Sequence, residues 1–490
     1  MTKYYITTTI PYVNGDLHLG HAMEFSQADV LARYKRAKGE EVLFSVGTDE
    51  NGEKNFEKAK ELGLDPQAYV DSMLKNVSEV HSLYNIRADR FIRTTDDAHQ
   101  KRVQIIWNQL KPYIYKAQYV GYYCVGCEEY KTDTDFKEND GICPDHNRKY
   151  EVRKEENYFF KLKDFGEKIK LAIESEEMRV VPDSKKNEIL SLINSGLEDL
   201  SISRPKEKLS WGVEVPDDPT HTVYIWLEAL MNYITILGYP EHDDFKNFWP
   251  ADVHILGKGV LRQHAAIWPA TLLALGLPLP NELYVHGYIT INGTKMSKSL
   301  GNYVDPIYLA KIFGTDASRY FLLSSIPSYG DGDFTWVKML EVYNNDLVNG
   351  LGNVIQRTSM MISKYMDGNI GENVAGARHD HTAYHDALKD YRFDKALEWV
   401  WSLVDGINKY LEQTKPWMLA KDEKNKEHVQ EILLTCVADL REIRTLLAPF
   451  MPQTAEMIGS VFGDVKLNPP QGPVFAKVEL PAELTAQGAA

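Results

Sequence analysis

The stretch from Tyr4 to Gly39, YYITTTIPYVNGDLHLGHAMEFSQADVLARYKRAKG, constrains this chain more than any other. Tyr4 to Thr9 is dense in β-branched and aromatic residues and predicts a buried strand. Pro11, Asn14, Gly15 and Asp16 supply turn chemistry. From about His18, Met23, Val30, Leu31 and Tyr34 recur at helical spacing until Gly39, which suits a C-cap. A strand, a turn and a helix N-terminus in that order is how α/β proteins build an anion site, because the first N–H groups of the helix lack partners and its dipole directs them at a ligand. His18 and His21 flank Leu19 and Gly20 at that N-terminus, one turn apart on one face. Two imidazoles there suit donation to phosphate oxygens as charge builds on them, and Gly20 leaves room for a flat base or ribose. The same four residues also read as two surface histidines or a metal pair.

Far downstream, Lys295-Met296-Ser297-Lys298-Ser299 follows a strand-like run, Tyr288–Asn292, and the turn Asn292-Gly293. Two lysines separated by small hydroxyl residues on a loop suit a transient clamp on a polyphosphate, although a lone K-x-x-K is otherwise a solvated feature. Glu41 to Gly47 reads as a second strand, with Thr48-Asp49-Glu50-Asn51-Gly52 at its carboxyl end. Ligands of open parallel sheets bind there. Asp49 is therefore placed to take a substrate ammonium, or else it only forms a turn. Residues 53 to 112 read as helical scaffold.

Cys124-Val125-Gly126-Cys127 and Cys143-Pro144-Asp145-His146 form C-x2-C and C-x2-H turns, able to present four ligands to one tetrahedral zinc. A redox use of the first turn is the alternative. Cys124, Cys127 and Cys143 are three of only four cysteines in 490 residues, and Cys436 reads as a buried thiol. With four protein ligands the ion has no open position, so its expected role is structural.

Composition excludes classes rather than choosing one. The chain is 43% hydrophobic and 26% charged, as soluble globular proteins are, and too long for a single core. Few cysteines argue against a disulfide framework. No apolar run is long enough to span a bilayer, and no targeting segment is read, so a cytoplasmic location is expected. A net charge of −15 argues against indiscriminate nucleic-acid binding.

Thr222–Trp226, Val253–Gly257, Leu283–His286 and Tyr288–Ile291 read as strands completing a sheet. Val337–Tyr365, Ala383–Lys415 and Glu427–Leu446 read as long helices. The expected division is residues 1–112 and 206–292 as the two halves of a catalytic Rossmann-like domain, 113–205 as an insertion with the zinc knuckle, 293–336 as the lysine loop and connector, and 337–490 as an α-helical domain with a tail. A short strand-like piece, Pro473–Leu480, closes the pattern.

The stretches IPYVNGDLHLGH, GTDENG, YIWLEALMNY, HILGKGVLRQH, HGYITINGTKMSKSLGN and QTKPWMLAK together resemble the methionyl-tRNA synthetases, a family of class I aminoacyl-tRNA synthetases, from residue 4 to at least Trp417. The resemblance implies ATP, L-methionine and tRNA(Met) as partners, with Mg²⁺ accompanying ATP. It implies a methionine pocket of Ile10, Tyr12, Trp226, Ala229, Leu230, Tyr233, Val260 and His264, with Asp49 receiving the α-ammonium. His18, Gly20, His21, Lys295 and Lys298 would bind ATP and serve catalysis, with Arg204 and Lys258 as weaker additions. Asn353, Arg357 and Trp417 would read the anticodon. Because no extra C-terminal domain follows, a monomer is expected. Two rivals remain: another class I synthetase, for cysteine or an aliphatic amino acid, and a non-catalytic tRNA-binding relative.

Overall fold

The structure is a computed structural model describing residues 2–131, 133–144, 147–296, 302–371, 378–481 and 484. The chain forms two compact units. The first comprises Met1–Leu17, Lys38–Glu79 and Arg87–Val285, the second His18–Ala37, Val80–Ile86 and His286–Ala490.

The first unit is built on a six-stranded sheet ordered Arg90–Arg93, Glu41–Thr48, Lys3–Thr8, Val253–Gly257, Glu282–His286, Arg179–Val181. Lys3–Thr8 runs parallel to both neighbours, pairing Ile6 with Phe44 on one side and with Val253 on the other. Tyr5, Ile6, Phe44, Val253 and Ile255 are completely buried, as expected of parallel strands covered on both faces. Val253–Gly257 forms as its sequence predicts. Thr222–Trp226 does not: the strand there is Asp218–Val223, and a helix begins at Ile225. Local β-propensity at Tyr224-Ile225-Trp226 yields to the burial of a short helical face.

Two strands of this sheet were not expected. Arg90–Arg93 interrupts the region read as helical. It is an edge strand with only Ile92 buried, and edges tolerate charged residues. Arg179–Val181 falls inside the stretch expected to be an insertion, yet pairs with Glu282–Tyr284. Three residues carry too little periodicity to declare a sheet partner. The rest of that stretch holds a separate antiparallel sheet in which Ile114–Cys124 and Glu151–Phe160 pair along their length.

In the second unit Ile289–Ile291 joins Thr294–Lys295 and Gly332–Phe334 in a small sheet of its own, not the main one. Helices follow, among them Asn353–Tyr365, Phe393–Thr414, Lys426–Leu447 and Pro452–Phe462. Phe393–Thr414 buries Ala396, Leu397, Val400, Val404, Ile407 and Leu411, one stripe at helical period. The tail at Pro473–Leu480 forms no strand and bends at Val474 and Phe475.

Arg319, completely buried, ties this unit together. It donates to the carbonyls of Phe450 at 2.7 Å, Pro449 at 2.9 Å and Tyr84 at 2.9 Å, and pairs with Asp29 at 2.8 Å. No helix among the described residues is long and apolar enough to cross a membrane.

Candidate functional site

In the first unit the predicted pocket residues come together around Tyr12. Its ring meets Trp226 edge-on at 6.3 Å, and its backbone forms a parallel bridge with Asp49. Leu230 and Tyr233 belong to the buried core against which Tyr12, Trp226 and Val260 pack. Ala229 is buried on the same helix as Trp226, Ile225–Leu230. Ile10 lies half-buried beside Gly47.

His264 sits in a π-helical turn, Gln263–Ile267, a distortion frequent at functional sites. Its Nδ1 donates to the Val260 carbonyl at 2.8 Å. Burial holds its pKa down at about 4, so the ring is neutral. Nε2 is therefore an acceptor, and Tyr233 donates its hydroxyl hydrogen to it at 2.7 Å. Tyr5 in turn donates to the Tyr233 carbonyl at 2.9 Å. The result is a rigid polar seam in an aromatic wall.

Asp49 carries the electrostatics. It is 2% exposed, and its Oδ1 has no hydrogen-bond partner among the described residues. Burial first, then Glu228, Glu128 and Glu50, push its carboxyl well above the ordinary range, with Lys54 opposing. Trp226 Nε1 and Glu228 Oε2 are also buried without partners among the described residues. Glu228 uses its other oxygen on His99 Nε2 at 2.6 Å. A desolvated cluster of carboxylates with unused acceptors fits a cationic ligand.

Sequence reasoning missed Glu228 and Glu128. A lone acid inside the apolar run Ile225–Leu230 was the available signal for the first. An acid directly after the second cysteine of C-x2-C was the signal for the other.

Cys124 and Cys127 face Cys143, their sulfurs all within 4.8 Å of one another. The Cys127 and Cys143 sulfurs are 3.6 Å apart. Zn–S bonds of about 2.3 Å at tetrahedral angles place sulfurs roughly 3.8 Å apart, so the three thiols fit zinc. Cys127 N–H donates to Cys124 Sγ at 3.4 Å, as turns around a metal require. The fourth expected ligand, His146, lies outside the described residues. Arg204, expected as a minor nucleotide contact, is committed elsewhere. It is buried among the rings of Tyr224, Tyr130 and Tyr123 and donates to the Ser203 carbonyl. Lys258 stands half-buried in a short turn, Lys258–Val260.

In the second unit the helix Leu19–Ala37 begins directly after His18. The His18 and His21 rings stack 3.8 Å apart at 16°. His18 Nδ1 accepts from Gly20 N–H at 3.1 Å, and His21 Nδ1 accepts from His18 N–H at 3.2 Å. An imidazole that accepts through Nδ1 carries its proton on Nε2, which makes that nitrogen a donor in both rings. A Cβ on Gly20 would fall 2.9 Å from the exposed His18 ring and would displace it from this position. Only the backbone of Lys295 is described, in the strand Thr294–Lys295, and Lys298 lies outside the described residues.

Asn353 opens the helix Asn353–Tyr365, and Arg357 stands one turn on. The Arg357 guanidinium lies over the Trp417 ring at 5.3 Å and pairs with Glu412 at 2.8 Å. Trp417 follows Lys415, whose left-handed backbone (φ 46°) ends the preceding helix, and Pro416. A second grouping, His379, Asp439 and Glu442, is a loop clamp. Glu442 accepts the backbone N–H groups of Arg378 and His379 and pairs with His381.

Comparison with known proteins converges on one family. Residues 4–151 and 139–359 match the family described as tRNA synthetases class I (M), and residues 379–469 the anticodon-binding domain of tRNA ligase. Methionine–tRNA ligase of Caldanaerobacter subterraneus subsp. tengcongensis is 42% identical over 94% of this chain and 74% of its own length. That of Bacillus subtilis is 39% identical over 94% of this chain and 73% of its own length. The structure of Mycobacterium tuberculosis methionyl-tRNA synthetase with methionyl-adenylate superposes with a TM-score of 0.91 at 33% identity, covering 97% of this chain and all of that one. With matching family segments over most of its length and relatives this similar, the chain belongs to the class I methionyl-tRNA synthetases.

Proposed function

We propose that this chain activates L-methionine with ATP, forming methionyl-adenylate and pyrophosphate, and then transfers methionine to the terminal adenosine of tRNA(Met). The observation that carries this reading is Asp49: a buried carboxylate with an unused oxygen, crowded by other acids, beside Tyr12 and Trp226. An α-ammonium relieves that repulsion. A polarisable thioether gains from the aromatic rings around it. Tyr233 and His264 present a fixed polar seam, and Ile10, Ala229, Leu230 and Val260 complete the apolar wall.

The first step needs no protein nucleophile. The methionine carboxylate attacks the α-phosphorus in line and pyrophosphate leaves, so the protein contributes position and charge stabilisation. His18 and His21 donate through Nε2–H to phosphate oxygens, Gly20 holds the His18 ring in place, and Lys295 and Lys298 close on the polyphosphate. Mg²⁺ accompanying ATP would supply positive charge against the phosphates. In the second step the 2′-hydroxyl of the terminal adenosine attacks the acyl carbon. Asn353, Arg357 and Trp417 read unstacked anticodon bases, by hydrogen bonds and stacking. Cys124, Cys127 and Cys143, with His146 as the expected fourth ligand, would hold a zinc ion, which would stabilise the fold of the knuckle.

Methionine-dependent exchange of labelled pyrophosphate into ATP, without tRNA, tests the activation step. Exchange specific for methionine and strongly reduced in Lys298→Ala is expected. Exchange with a different amino acid would retain the class and overturn the pocket assignment.

A further inference from the structure

The knuckle does more than fold itself. Glu128 directly follows Cys127 and adopts a left-handed backbone (φ 55°), unusual for a residue with a side chain. Such strain persists where surrounding contacts impose it, and often marks a functional role. Here the side chain turns inward and is 1% exposed. One carboxylate oxygen accepts the Tyr12 hydroxyl, the other the Lys54 backbone N–H at 2.8 Å. The Lys54 ammonium lies over the same Tyr12 ring at 4.8 Å. Gly52 (φ 96°) leaves room beside both neighbours, since a Cβ there would fall 2.5 Å from Ile225 Cδ1 and 3.1 Å from Glu128 Oε1.

The next residue is also held by ion pairs. Glu129 pairs with Arg262 at 3.1 Å, two positions before His264, and with Lys131 at 3.0 Å. Glu128, at the end of the turn, thus reaches the Tyr12 ring of the amino-acid pocket, and Glu129, at the start of the strand Glu129–Lys131, reaches Arg262 just before the π-helical turn that carries His264.

We propose that Glu128 is a positioning residue for methionine: it sets the Tyr12 ring through the phenol, and the ordered Cys124–Cys127 turn transmits metal occupancy to amino-acid affinity. This inference rests on the functional reading above. Without the carboxylate, the phenol loses a buried charge-assisted acceptor, and Tyr12 is held only by its backbone bridge to Asp49 and its ring contacts.

The test is a double-mutant cycle with Glu128→Ala and Tyr12→Phe, read by methionine titration calorimetry and by methionine-dependent pyrophosphate exchange. Glu128→Ala is expected to raise the methionine Kd and KM about tenfold, the scale of one lost hydrogen bond to a charged group, with kcat and the ATP KM within about twofold. In the Tyr12→Phe background Glu128→Ala should add little. Removing the metal from the wild type should weaken methionine binding, and removing it from Glu128→Ala should not weaken it further. Unchanged methionine affinity in Glu128→Ala, additive effects with Tyr12→Phe, or equal losses on chelation in both proteins would overturn the inference. If Glu128→Ala fails to fold, Tyr12→Phe with and without metal decides: loss of the chelation effect supports the linkage, and its persistence overturns it. Absence of methionine-dependent exchange in the wild type would instead overturn the functional reading, and the inference with it.

Discussion

Tyr233 donates its hydroxyl hydrogen to His264 Nε2, and the direction of that bond follows from the Val260 carbonyl on the other side of the ring. Protonating His264 would turn the acceptor into a donor. Its pKa is held near 4 by burial, against an ordinary 6.5. The unfolded chain takes up this proton first as pH falls. The stability contributed by the neutral ring is thus complete above about 6.5 and lost between there and about 4. Denaturant unfolding should show the wild type losing roughly 2 kcal/mol more than His264→Gln between pH 6.5 and 5.

The role proposed for Asp49 sets function against stability. Asp49→Asn should raise the methionine KM by about 100-fold, as loss of a desolvated charge partner does, while leaving the ATP KM nearly unchanged. The same variant should unfold at a higher temperature, because it removes a carboxylate crowded by Glu228 and Glu128. The native carboxyl is raised above its ordinary 3.8. The advantage of asparagine should therefore be absent below that pH and grow as pH rises above it. Scanning calorimetry at several pH values checks the sign.

Metal removal has a thiol signature. Cys124 and Cys143 are completely buried and Cys127 half-buried. In the metal-loaded protein none should react quickly with a thiol reagent. After chelation the three should react, while Cys436, buried and pushed up to about 12, should not until global unfolding.

A change at Trp417, proposed above as an anticodon contact, should separate the two chemical steps. Trp417→Ala should lower aminoacylation efficiency by about 10- to 100-fold, the worth of a base–aromatic stack, with pyrophosphate exchange within about twofold of wild type. A comparable fall in exchange would show that the effect is not confined to tRNA.

What the sequence disclosed depended on length and periodicity. Lys3–Thr8, Val253–Gly257 and the helix Leu19–Ala37 were legible because several consecutive residues share one burial rule. Arg90–Arg93 was not, because an edge strand needs little apolar surface. Tyr288–Ile291 was legible as a strand but not as a member of the small sheet, since pairing partners such as Gly332–Phe334 carry no local mark. Around Tyr12 the aromatic residues could be placed by resemblance. Glu128 could not, because its role comes from a backbone turn that brings an acid to a tyrosine distant in sequence.

Arg319 has a consequence for how the protein is made. Its guanidinium joins Asp29 and Tyr84 to Pro449 and Phe450. During vectorial synthesis the helix that begins at Leu19 leaves the ribosome long before the carbonyls that complete this knot exist. The knot stays incomplete until the segment carrying Pro449 and Phe450 has emerged, so a ribosome stalled before Pro449 holds a nascent chain in which Arg319 lacks two of its carbonyl partners.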